Sequence, residues 1–147
     1  MPASSGLPTL KDFEEKLYLC NHCGFCRPAC PVMRRREMDE TAGPRGRMLL
    51  IHGWMSGELK PTKPLVEKLY LCTTCRYCYV KCPPGLEIDK IVEAARYELV
   101  KVGAGPLEPH RTVASRIANY NNPFAEPPSN RTAWLKKVGS IEIPEKA

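Results

Sequence analysis

The sequence predicts an all-α fold built around two cysteine loops, and three observations predict it. Eight cysteines fall into two tight groups: Cys20, Cys23, Cys26 and Cys30, then Cys72, Cys75, Cys78 and Cys82. The segments between and after them carry apolar residues at helical intervals. No stretch alternates with the period of two that a half-buried strand requires. With 15 prolines and 7% aromatic residues, a chain of 147 residues has only a modest apolar core. Something besides hydrophobic burial must therefore hold it together.

Composition narrows the class. No stretch free of charge and proline is long enough to span a bilayer, and the opening MPASSGLPTLKDFEEK has no apolar segment of the signal-peptide kind. The expectation is a cytoplasmic protein with no membrane span, any membrane association running through a partner. In the cytosol thiols stay reduced, so eight cysteines there point to metal binding and away from disulfides.

Each cysteine group reads C-x2-C-x2-C-x3-C-P, closed by Pro31 or Pro83. This spacing wraps three corners of a cubane [4Fe-4S] cluster with one loop, while the fourth cysteine ligates a second cluster. Thiolates two residues apart converge on neighbouring irons as the loop curls. The fourth, held before proline and so steered away from helix, leaves in another direction. Residues 15–31, EKLYLCNHCGFCRPACP, match residues 67–83, EKLYLCTTCRYCYVKCP, at ten of seventeen positions. A pseudo-symmetric pair of loops with exchanged fourth cysteines is expected. One cluster takes Cys20, Cys23, Cys26 and Cys82; the other takes Cys72, Cys75, Cys78 and Cys30. The alternative, each loop closing on its own fourth cysteine, asks that residue to reach back into the loop it has just left. A zinc-binding interaction or nucleic-acid module is the competing class, but structural zinc uses separated cysteine pairs, not four in eleven residues. A dithiol redox motif needs one C-x-x-C, not two tetrads.

The helices follow in order. Each Leu-Tyr-Leu run ends an amphipathic helix that delivers the first cysteine of its loop. Between the loops, residues 47–55 carry apolar positions at helical spacing, opened by Gly43-Pro44 and closed near Gly57. Pro64 suits the start of the helix that ends at Cys72. Ile88, Ile91, Val92, Ala95 and Leu99 form one stripe, with Gly103 as its stop. Pro109 opens a helix through Val113, Ile117 and Tyr120. Asn130 is placed to cap a last short helix holding Trp134 and Leu135. Residues 1–9 read as a flexible N-terminus, 10–105 as a two-cluster domain, and 106–147 as a C-terminal helix with an extended, partner-binding tail whose Pro-rich part is residues 121–128.

These loops, the helical insert and the turn Gly43-Pro44-Arg45-Gly46-Arg47 resemble the α-helical ferredoxin family. Its members include the electron-carrying C subunit of heterodisulfide reductases and iron–sulfur subunits that serve glycolate, lactate and anaerobic glycerol-3-phosphate oxidation. The segment from Asn122 through Arg131 and Trp134 is similar to the stretch after the second loop in those proteins. The resemblance covers roughly residues 10–137 and implies an electron-transfer subunit with two [4Fe-4S] clusters. Such a subunit relays electrons from a flavin or ferredoxin-type donor to a catalytic, cysteine-rich subunit of the heterodisulfide reductase B kind. The second reading within the family is service to a hydroxy-acid or glycerol-3-phosphate oxidising complex. In longer relatives a cysteine-rich domain comes after this segment. Here the sequence ends at Ala147, so that domain is expected on a separate polypeptide or absent. The succinate dehydrogenase iron–sulfur subunit fits less well, because no cysteine precedes Cys20.

All eight cysteines are consumed by the two clusters, and no catalytic set of other residues is visible, so no catalytic residue is expected in this chain. The net charge of +6 largely offsets two clusters of about −2 each. Arg34-Arg35-Arg36 reads as a solvated loop, and no nucleic-acid partner is expected. His22 fills a loop position facing outward, as Thr74 does in the second loop. His52 reads as packing or surface, and His110 as a residue at a helix start. Phe25 and Tyr77, at matching loop positions, either shield a cluster from water or pack ordinarily.

Overall fold

The computed structural model describes residues 9–138, and every regular element among them is a helix or a 3-10 turn. The flexible N-terminus expected over residues 1–9 lies, except for Thr9, outside the described residues, as do the last nine positions of the tail. The chain divides into two compact units, one running to Leu107 and the other from Glu108.

In the first unit, a 3-10 turn over Leu10–Phe13 leads into α1, Glu14–Tyr18. The Asp12 carboxylate holds the entry, accepting from Thr9 N at 2.6 Å and Thr9 Oγ1 at 2.9 Å. The first cysteine loop then runs to α2, Pro31–Arg35, whose N-cap is Cys30 in extended conformation, with Pro31 at the first helical position. Arg34 and Arg35 are thus helical and not in a loop, but they remain exposed. A 3-10 turn, Glu40–Ala42, precedes α3, Pro44–Met55. Helix α4, Lys63–Tyr70, delivers the second loop, which contains the one-turn α5, Tyr77–Val80. The long α6, Ile88–Lys101, closes the unit and packs against α3, α4, α5 and the first 3-10 turn.

The stripe read from the sequence is the inner face of α6: Ile88, Ile91, Val92, Ala95 and Leu99 are all buried. It meets Leu17 of α1, Ile51 of α3 and Leu69 of α4. Leu17 and Leu69 occupy matching positions in the two EKLYLC copies, so both delivering helices dock through the same residue. Of the cysteines, Cys26 belongs to this core and Cys20, Cys72, Cys78 and Cys82 pack against it. The apolar core is the back wall of the cysteine loops.

The second unit contains α7, Glu108–Tyr120, a 3-10 turn over Pro128–Thr132 and α8, Leu135–Val138. Two expectations are corrected here. Asn130 caps nothing: it lies within the 3-10 turn and its Nδ2 donates to Glu126 Oε2 at 2.7 Å. Residues 121–128 are not extended throughout, although Pro127 is. Asn121 and Ala125 take left-handed backbone, and Asn122 donates to Glu126 O at 3.0 Å. Arg131 reaches back to Asn121 O at 2.7 Å. Asparagine amides and an arginine close the segment on itself, a local chemistry that the prolines alone do not reveal.

Candidate metal centre

Two helix ends launch the two loops with the same hydrogen bonds. Cys20 N donates to Leu17 O at 3.2 Å, and Cys72 N to Leu69 O at 3.3 Å. Two residues on, the backbone turns left-handed at His22 (φ 49°) and Thr74 (φ 50°), and again at Gly24 (φ 88°) and Arg76 (φ 62°). Further along, Arg27 N donates to Gly24 O and Cys30 N to Arg27 O. Their counterparts are Tyr79 N to Arg76 O and Cys82 N to Tyr79 O. All these pairs are offset by the 52 residues that separate the sequence copies. Left-handed residues interleaved with ordinary ones fold successive N–H groups toward one side, a concavity suited to an anion.

Left-handed backbone costs an L-residue about 1–2 kcal/mol, and a β-branched Thr74 is an unusual occupant. Partners restrain both loops. Arg45 Nη1 donates to His22 O at 3.3 Å. Arg76 sits 3.4 Å from Asp89 Oδ2 and stacks over Tyr79 at 5.1 Å.

Each loop lines a recess. The first, about 360 Å³ with its open mouth included, is lined by Cys20, Cys23, Cys26 and Cys82, with Arg45 among the other residues. The second, about 350 Å³, is lined by Cys72, Cys75, Cys78 and Cys30, with Arg47 and Asp89. The fourth cysteine of each run therefore lines the other run's recess. Ile88, buried at the start of α6, borders both.

Three of the thiols, Cys20, Cys26 and Cys78, are in an environment that disfavours charge. Burial pushes Cys26 up to about 11, helped by Cys20, Cys82 and Cys23. Burial pushes Cys78 up to about 12, with Cys72 and then Asp89 adding to it. Cys20 is raised chiefly by burial as well. Only a bound cationic centre makes thiolates favourable in such a place.

The donor set fits a cluster better than a lone ion. All four cysteines at each recess are soft sulfur ligands. A structural zinc draws its sulfurs to about 2.3 Å from one point. Among the described residues, no three His, Cys, Asp or Glu side chains converge closely enough to hold a single ion. An iron–sulfur cubane keeps its cysteines apart at separate corners, and recesses of this kind suit it.

Arg45, Gly46 and Arg47 are residues to which sequence reading gives no role at the site. Arg45 Nε donates to Glu40 Oε1 at 2.7 Å, and the Arg45 side chain borders the first recess. Arg27 Nε lies 2.7 Å from Glu40 Oε2 as a second ion pair on the same carboxylate. The Arg45 hydrogen bond, followed by both arginine charges, holds the Glu40 carboxyl below its usual range. Arg47 is 2% exposed, its Nε donates to Lys68 O at 3.1 Å, and it borders the second recess. Gly46 between them packs against the backbone of the Glu40–Ala42 turn. The signal was the i, i+2 spacing of two arginines at a helix start, which points them about 200° apart around α3.

Of the histidines and of Phe25 and Tyr77, only His22 borders a recess. His22 is exposed and borders the first recess. His52 meets the Tyr18 ring edge-on at 5.2 Å and borders neither recess. His110 lies on α7 in the second unit. Phe25 and Tyr77 stand in solvent, 65% and 46% exposed, and line neither recess. Tyr77 packs under Lys81 Nζ, 5.8 Å from its ring centre.

Comparison with known proteins agrees with this chemistry. Residues 16–86 match the 4Fe-4S dicluster domain family. Over 83 residues the chain is 37% identical to a probable glycolate oxidase iron–sulfur subunit of Bacillus subtilis, covering 56% of this chain and 19% of that one. Identity to the D subunit of the dihydromethanophenazine:CoB–CoM heterodisulfide reductase of Methanosarcina barkeri is 27% over 141 residues, 86% of this chain and 34% of that one. Identity to the iron–sulfur C subunit of the CoB–CoM heterodisulfide reductase of Methanopyrus kandleri is 31% over 137 residues, 90% of this chain and 66% of that one. The chain thus spans a fifth to two thirds of these relatives. Residues 16–86, with their paired loops and eight cysteines, belong to the 4Fe-4S dicluster domain family, and the chain is homologous to the iron–sulfur subunits of heterodisulfide reductases and glycolate oxidases.

Proposed function

We propose that this chain is an electron-transfer subunit carrying two [4Fe-4S] clusters, one on Cys20, Cys23, Cys26 and Cys82 and the other on Cys72, Cys75, Cys78 and Cys30. The observation that carries the reading is the lining of the two recesses, each by three cysteines of one loop and the fourth of the other. With four thiolates on each, neither cluster keeps an open iron for a substrate, so the chain relays electrons and makes no bonds. Its contribution is to space the clusters, exclude water and set their potentials. Electrons enter from a flavin or ferredoxin-type donor and leave to a separate cysteine-rich catalytic subunit, as the alignment over most of this chain with the C and D subunits of heterodisulfide reductases suggests. A hydroxy-acid oxidising complex is the second reading, favoured by the higher identity of the cluster region to a glycolate oxidase subunit. No helix among the described residues is long and apolar enough to cross a membrane, which accords with work in the cytoplasm. The two-cluster body extends to about residue 105, and the segment after it engages the partner.

Exchanging Cys82 for Ser tests the ligand assignment. In anaerobically purified protein, C82S should damage the cluster held by Cys20, Cys23 and Cys26 and leave the other intact, read by iron and sulfide content and by EPR of the reduced protein. Damage confined to the cluster at Cys72, Cys75 and Cys78 overturns the crossed assignment.

A further inference from the structure

The two recesses are alike in sulfur but not in buried charge. At the first, Arg45 shares Glu40 with Arg27, and all three side chains are about a third exposed. That charge is compensated within the protein and screened by water. At the second, Arg47 is fully enclosed and makes no ion pair among the described residues. Its Nε is spent on Lys68 O, while its Nη2 is buried with no hydrogen-bond partner among the described residues. A guanidinium donor left bare in the interior is costly, the more so because the group is charged. The residue that carries it borders the recess of Cys30, Cys72, Cys75 and Cys78.

A second guanidinium reinforces it. Arg96 of α6 donates to Leu69 O at 2.8 Å and to Cys72 O, so together with Arg47 it satisfies carbonyls at the end of α4 and of the loop start. It too is without an ion pair among the described residues. The negative group on this side is Asp89, 3% exposed, with Oδ2 facing Arg76 at 3.4 Å and one oxygen unpartnered. Asp89 stands in the first turn of α6, so both Arg76 and the helix N-terminus offset its charge. No carboxylate among the described residues pairs with Arg47.

We infer that Arg47 donates its bare Nη2–H to the cluster held in the second recess and makes that cluster the first of the two to accept an electron. The inference rests on the two-cluster reading above. Each cluster takes one electron from a reduced donor and passes from about −2 to about −3 in charge. A buried cation favours the more negative form, most strongly where water does not screen it. Hydrogen bonds to cluster sulfur act in the same direction. The second cluster is therefore the electron sink of the pair, and the first is the harder to reduce.

An EPR-monitored redox titration of the anaerobic holoprotein tests this. Wild type should give two one-electron waves at least tenfold apart in reduced-to-oxidised ratio at a common poise, which corresponds to 59 mV or more. Arg47→Gln should move the more positive wave down by at least tenfold in that ratio and leave the other within threefold. Arg45→Gln should move only the more negative wave. Arg47→Lys, which keeps the charge but loses the fork of donors, should fall between wild type and R47Q. It serves as the test if R47Q does not retain its clusters. Coincident waves in wild type overturn the inference, as does an unmoved positive wave in R47Q, or in R47K where only that variant loads. Those outcomes with about eight irons per chain leave the two-cluster reading standing. About four irons and a single signal sink that reading instead.

Discussion

Gly46→Ala is a small change with a large expected effect. A Cβ on residue 46 would lie 2.0 Å from Glu40 O, 2.7 Å from Glu40 C and 2.8 Å from Thr41 Cα. Every one of these is backbone, and favourable carbon contacts need about 3.5–4.0 Å, so the 3-10 turn must move by roughly 1.5 Å. It is not free to do so. Glu40 O accepts from Gly43 N at 3.0 Å, the Asp39 carboxylate caps Thr41 N at 2.9 Å, and Lys68 holds Asp39 from the other side. Overpacking against such a rigid neighbour costs about 3 kcal/mol, and a disturbed cap adds about 1 kcal/mol. Alanine returns about 1 kcal/mol in helix propensity. The net loss is about 3 kcal/mol, or a fall of roughly 12–24 °C in a domain of this size. Gly53→Ala on the same helix is the control, because its Cβ would meet only the Leu59 side chain, at 2.9 Å from Cδ1. Anaerobic thermal melts followed by the visible cluster absorbance should separate the two variants by at least 10 °C, with the cluster at Cys20, Cys23 and Cys26 lost first, since Glu40 orients Arg45 there. Equal melting of G46A and G53A would refute the reasoning.

Removing iron with a chelator under reducing conditions should unfold most of the chain, because the proposed crossed ligands would join residues far apart in sequence; far-UV circular dichroism that keeps most of its helical signal contradicts this. What helix the apoprotein retains should be base-sensitive. Burial raises Cys26 to about 11 and Cys78 to about 12 from 9.0, so their contribution to the folded apoprotein is complete below about pH 9 and is lost as pH climbs through 11 to 12. The loss should shrink in apo C78A, and an identical pH profile in that variant argues against it. Deleting residues 121–147 should leave iron and sulfide content unchanged, since the cysteines all lie in the unit ending at Leu107, while weakening retention of partner subunits in a native pull-down. Lost iron in the truncated chain would mean the tail supports the clusters.

The parts of this molecule that sequence made legible are those set by local periodicity. The α6 stripe, the Gly43-Pro44 start of α3 and the two EKLYLC helices each follow from side-chain spacing within one element, and each lies where that spacing puts it. The second unit resisted for a different reason. Asn122 caps Phe124 N at 2.9 Å and Arg131 returns to Asn121 O, so amide side chains, not the prolines, decide the path. At the centre, the division of Arg45 and Arg47 between two recesses depends on residues from four separate segments, and no window of sequence displays it. Thr74 shows the opposite problem. Its propensity argues against left-handed backbone, yet it matches His22 in φ to within a degree, so the loop's shape outweighs the preference of the residue.

Several departures from local preference meet at the recesses, although Glu37, Met38, Asn121 and Ala125 are left-handed elsewhere. Left-handed His22, Thr74 and Arg76, thiols pushed up by burial, and a guanidinium nitrogen without a partner all border the recesses. Scattered through a domain they would be defects, each of about 1–3 kcal/mol, and together they would consume a large share of a stability of about 5–15 kcal/mol. An iron–sulfur cluster, cationic in its core and anionic once its thiolates are counted, would turn most of them into gains at once. On the reading proposed above it would take the thiols as thiolates, offer an acceptor to the loop N–H groups and give Arg47 a counter-charge. A simple stabilisation of the empty chain would remove these same features, and it would thereby remove the site.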